Sequence, residues 1–239
     1  MVGGTETTEQ PRTTTIGLVG ITLLVIILEF SGSAFGRTDL AHKINLWANG
    51  FIEPNQMGLF MNLVLAYWIF APMLLFGVVA MAVLRCTPRQ VFLLPGNSDW
   101  SIRKTIVIVL VVAIVEAAII LTTQWGNLTY ALHPGDMAGQ LFSNAYEELL
   151  YRGFMLGMLI RFSGRPWYAI FLTSLFFTLG HGQYIGWISL GFFVLALPFG
   201  WITWKTKWIL WAWILHMLVD WAVDPFLTQG HVNQILGSG

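Results

Sequence analysis

The sequence predicts an all-α fold, a polytopic bundle of about seven membrane-crossing helices. Three observations carry that prediction. Of 239 residues, 56% are hydrophobic and only 10% charged, with a mean hydropathy of +0.69, far more apolar than a soluble domain. The apolar residues gather into seven runs long enough for helices across the hydrocarbon layer, some of them crossing only partly or obliquely. Lys and Arg, finally, sort onto alternate loops between those runs.

Residues 1–15 are polar, rich in Thr and Glu, and read as a disordered tail. The first run, 16–35, has the small residues of a signal peptide in Ser31-Gly32-Ser33-Ala34. Its apolar stretch is too long for one and ends in Glu29, so it is expected to stay as an anchor, with Glu29 at the interface. Residues 40–52 can hold a short eighth element. The second run, 57–84, exceeds one crossing and contains Pro72, which predicts a kink or a strong tilt. The remaining runs are 105–123, 137–162, 166–182, 184–204 and 208–223. Residues 16–224 are thus expected to form one transmembrane domain, with its polar motifs gathered in 137–223, and 225–239 a C-terminal tail.

Outside the runs, Arg12, Arg85, Arg89, Arg103, Lys104, Arg161, Arg165, Lys205 and Lys207 fall on one side, and only Arg37 and Lys43 on the other. With seven crossings this bias predicts a cytoplasmic N-terminus and an external C-terminus. The expected location is the plasma membrane of a prokaryote, as a multi-pass protein. One helix more would invert the second half. Trp125, Trp167, Trp204, Trp208 and Trp221 lie near run ends, as interfacial belts require. A net charge of zero and a pI near 7 leave no basic surface for nucleic acid. Cys86, the single cysteine, excludes an internal disulfide and a cysteine metal cluster, and reads as apolar filler.

Three polar motifs interrupt the apolar runs. Glu147-Glu148-x-x-x-Arg152 lies in the fourth. Each such charge costs roughly 2.5 to 3.5 kcal/mol near a bilayer centre on insertion scales, so three within six residues need partners or a purpose. Glu148 and Arg152, four apart, share a helix face and can pair as structure, while Glu147 points elsewhere and is left for chemistry. Phe177-x-x-x-His181 ends the fifth run, with Gly180 and Gly182 beside the imidazole and Phe177 one turn back, where it can fix the ring plane. His216-x-x-x-Asp220 lies in the last run, where Asp220 can hold one ring nitrogen and set the tautomer. Asp224 continues that face toward the interface. Glu116, in the middle of the third run, is expected to make a buried hydrogen bond to a neighbouring helix.

In order and spacing, the three motifs resemble those of the CAAX prenyl protease and bacteriocin-processing family, also called the Abi family. The resemblance covers Glu147 to Asp220. In eukaryotic-type members the last position is usually Asn, where Asp220 stands here, and that departure questions its detailed role.

The resemblance implies an intramembrane, glutamate-dependent endopeptidase acting on a membrane-associated peptide or lipidated protein, one with a prenylated C-terminus included. Its implied catalytic residues are Glu147, His181, His216 and Asp220. Glu147, assisted by His181, would take a proton from the attacking water, and a carboxylate taken out of bulk water is a stronger base than one in it. His216, with Asp220, would stabilise the oxyanion. Because an ionised Asp220 opposes that task, it is expected to be protonated or to orient His216 without touching the oxyanion. Glu148, Arg152 and Phe177 would hold the site in shape. No cofactor is implied.

Three other readings start from the same residues. Glu147, His181 and His216 are a carboxylate and two imidazoles, a set that suits catalytic zinc, although the compact His-Glu-x-x-His helix of many zinc proteases is missing. Intramembrane Glu and His also serve proton-coupled transporters, although no repeated halves are visible. A non-catalytic immunity or scaffold protein would keep the motifs as structure alone.

Overall fold

A computed structural model describes residues 94, 97–123, 130, 137, 140, 141, 144, 145, 147–181 and 187–226. Among them every regular element is helical, as the all-α prediction requires. The predicted spans 16–35 and 57–84, the element within 40–52, the N-terminal tail, the C-terminal tail from 227 onward, Glu29 and Cys86 lie outside the described residues.

Helix α1, Ile102–Thr123, is apolar along its length and contains neither Gly nor Pro. Ser101 caps it: the Lys104 amide donates to Ser101 Oγ at 3.3 Å. It is long and apolar enough to cross a membrane, with a mean hydropathy of 2.9 in its most apolar window. Val109, Ala113, Glu116 and Ala117 face inward, while Ile106, Val107, Leu110 and Ile114 lie open on the other side, as a lipid-facing surface demands.

The predicted fourth run is helical at its described residues but not α-helical throughout. Leu149–Met155 is a π-helix, succeeded by α2, Leu156–Ser163. A π-turn inserts one extra residue and so rotates the helix on its N-terminal side relative to the helix on its C-terminal side; such turns are frequent at functional sites. Here it begins directly after Glu148 and contains Arg152. Gly164 ends α2 with φ of 62°, a left-handed conformation that costs glycine little, and its amide donates to Ile160 O at 2.8 Å.

Pro166 then takes the first position of α3, Pro166–Gly180, where its missing N–H is no loss. Helix α4, Trp187–Thr206, carries Pro198 in its interior. Helix α5, Leu210–Val223, runs into a short 3-10 turn at Asp224–Phe226. At 15 and 14 residues, α3 and α5 fall short of the roughly 20 needed for a perpendicular crossing.

Two apolar clusters fix how these helices stand. Val109, Ala113 and Ala117 of α1 meet Leu215, Val219 and Val223 of α5 and Phe199 and Ile202 of α4. Leu156 and Leu159 of α2 meet Ala169 and Ile170 of α3. Helices α3 and α4 approach closely at Gly200, where an added Cβ would lie 3.1 Å from Ile170 Cγ2. Polar ties finish the frame. The Asp99 amide donates to Lys205 O at 2.9 Å, and the indoles of Trp213 and Trp221 donate to Leu141 O and Met137 O, each at 3.2 Å. Trp221, expected in an interfacial belt, therefore also ties α5 to the start of the fourth run.

Candidate active site

The three motifs converge. Glu147, His181, His216 and Asp220 all line one cavity of about 250 Å³, together with Asn144, Phe177, Glu116 and Asp224. Its apolar wall comes from Ile120 of α1, Phe192, Leu195 and Phe199 of α4, and Val219 of α5. The Glu147 side chain is 18% exposed and faces this space rather than the bundle exterior.

Glu148 and Arg152 are fully buried and paired, with Nη1 3.1 Å from Oε1, as their spacing predicts. The guanidinium also donates from Nη2 to Ala196 O at 3.4 Å, and lies 4.3 Å from the centre of the Phe177 ring and 5.1 Å from that of Phe199. Phe177 in turn packs against His181 at 4.5 Å and His216 at 5.9 Å, so one aromatic ring touches both imidazoles and the buried cation. His181 Nδ1 lies 2.7 Å from Phe177 O. A carbonyl only accepts, so Nδ1 carries the hydrogen and, in the neutral ring, Nε2 is the acceptor. Phe177 thereby sets both the plane and the tautomer of His181.

The expected partner of His216 needs correction. Asp220 does not hold its ring: Asp220 Oδ2 is 3.8 Å from His216 Nε2, beyond hydrogen-bond range. Instead His216 Nδ1 meets Glu148 Oε1 at 2.9 Å, on the oxygen that Arg152 also engages. Glu148, ion-paired as an acceptor, takes the Nδ1 hydrogen, which turns Nε2 toward Asp220 and toward Glu147 Oε2 at 3.9 Å. Asp220 Oδ2 accepts from Asn144 Nδ2 at 2.7 Å. Asn144, one helical turn before Glu147, is a site residue that the motifs do not include, though a lone amide in an apolar run three residues from an acid is a readable signal.

Two further acids line the cavity, Asp224 from the turn after α5 and Glu116 from α1. Among the described residues Glu116 Oε1 is buried with no hydrogen-bond partner, so it does not make the expected bond to a neighbouring helix. Among the described residues no group of three or more His, Cys, Asp or Glu has its donors gathered as a metal ion would need.

Residues 137–222 match the family model described as type II CAAX prenyl endopeptidase Rce1-like. Over this segment the chain is similar to the CAAX prenyl protease family. The segment contains every motif residue named above, whereas Glu116 and the rest of α1 precede it. No curated protein and no solved structure matches the chain. The matched segment and the apolar α1 both point to an integral membrane protein.

Proposed function

We propose that the protein is an intramembrane, metal-independent endopeptidase that hydrolyses a peptide bond of a membrane-associated substrate, a prenylated C-terminal CAAX peptide being the first to test. The observation that carries this reading is the shared cavity of Glu147, His181 and His216, three groups brought from the fourth run, the end of α3 and α5. Glu147, with the acceptor nitrogen of His181, takes a proton from water as its oxygen attacks the scissile carbonyl. His216, doubly protonated, keeps Nδ1–H on Glu148 and offers Nε2–H to the oxyanion. When the tetrahedral intermediate collapses the C–N bond breaks, and Glu147 returns its proton to the leaving nitrogen. Asp220 is tied to Asn144 and shapes this wall without touching the oxyanion.

The zinc alternative is left to experiment: Glu147 Oε2 and His216 Nε2 stand 3.9 Å apart, and His181 Nδ1 on the Phe177 carbonyl leaves Nε2 open, as a base or a metal ligand equally requires. Protein reconstituted in liposomes should cleave a farnesylated CAAX peptide in the presence of chelator, and cleavage in ¹⁸O-water should place ¹⁸O in the new carboxylate. Activity lost to chelator and restored by zinc would favour the metal reading. A prenylated peptide left intact under all conditions would contradict the proposed substrate.

A further inference from the structure

Glu116 is an acid outside the three motifs that the proposed mechanism leaves unused, and its setting is unusual. It lies on α1, outside the family segment, and is only 3% exposed. Among the described residues its Oε1 has no hydrogen-bond partner, yet the residue lines the cavity that holds Glu147 and His216. A buried acceptor without a donor costs free energy, and a helix of Ile, Val and Ala would be more stable with an aliphatic residue there. Glu148 is engaged through Oε1 by Arg152 and His216, its unpartnered Oε2 belonging to a residue that does not line the cavity, and Asp220 is engaged by Asn144. Among the described residues Glu116 Oε1 meets no donor, and a molecule that enters the cavity can bring one.

A peptide cut inside a membrane supplies one. To present its scissile carbonyl it must unwind, and an unwound strand exposes backbone N–H groups that a water-poor, apolar cavity does not satisfy. We propose that Glu116 is a substrate-positioning residue whose Oε1 accepts a backbone N–H next to the scissile bond, seating that peptide unit in the cavity. The inference rests on the proteolytic reading of the site and adds a contact from a helix that the family segment does not include. The carboxyl anchors the substrate from α1 while Glu147 and the two imidazoles act on it from the other helices.

The test combines a variant with an altered substrate. Glu116→Leu fills the same space without a polar atom, so it should fold with an unchanged or higher Tm. Its KM for an internally quenched farnesylated CAAX peptide should rise about tenfold, with kcat changed far less. In peptides N-methylated one nitrogen at a time on either side of the scissile bond, one methyl group should raise the wild-type KM by a similar factor. Glu116→Leu should be insensitive to that methyl group, because the contact is already gone. Effects that multiply at every position, or a Glu116→Leu variant that matches wild type on the parent peptide, would overturn the inference and leave the protease intact. Wild-type protein that cleaves no probe would overturn the proteolytic reading first, and this contact with it.

Discussion

Glu148 serves two donors on one oxygen, Arg152 Nη1 and His216 Nδ1, in a fully buried setting. Removing Arg152 leaves that carboxylate short of its cation, and breaking a buried pair from one side costs about 3 to 5 kcal/mol. Arg152→Ala should therefore lower Tm sharply and lose activity with it, as a thermal melt in detergent would measure. Asp220 allows a finer test. Its Oδ2 needs only to accept from Asn144, a task that the carbonyl of an Asn side chain performs equally well. Asp220→Asn should keep activity within a few-fold of wild type, whereas Asp220→Ala should leave the Asn144 amide short of its partner and lose about tenfold. Equal losses in the two variants would mean that the charge at 220 matters in itself. The Glu148–Arg152 pair is legible in the sequence because four residues on one helix share a face. The His216–Glu148 bond is not, since 68 residues separate its partners and only packing brings them together.

Helix α1 and the later helices are readable from apolar run length alone, and their observed ends depart from the predicted ones by a few residues, as at Ile102 and Thr206. The π-turn at Leu149–Met155 is not readable, because nothing in its composition differs from that of an α-helix. It matters because it sets the rotation between Glu147 and α2. Deleting Leu149 should restore α-helical winding, turn Glu147 by about 100° away from the cavity and abolish cleavage while helix content by circular dichroism is kept. Cleavage retained at the wild-type rate would show that the π-turn is not needed. Close approach of α3 and α4 makes a second prediction. Gly200→Val would drive its side chain into Ile170, 3.1 Å from the first added carbon, and should destabilise by about 1 to 3 kcal/mol in a denaturation series.

For the whole molecule, the open apolar face of α1 implies a bilayer around it. Ile114 is one of its most exposed residues, and Ile114→Lys should cost roughly 2.5 to 3.5 kcal/mol of insertion, seen as reduced membrane-integrated protein after carbonate extraction. Ile114→Leu should leave the amount unchanged. Composition makes the membrane legible at once, whereas side-to-side orientation rests on a loop count that reaches outside the described residues.

The proteolytic account depends on Glu147 acting on water within reach of His181 and His216. The most direct measurement is kcat for the farnesylated peptide with wild type and Glu147→Gln in the same lipid, at matched Tm. Loss of about a hundredfold or more in the variant, with its fold intact, is the predicted result. A Glu147→Gln protein that turns over as fast as wild type would contradict it.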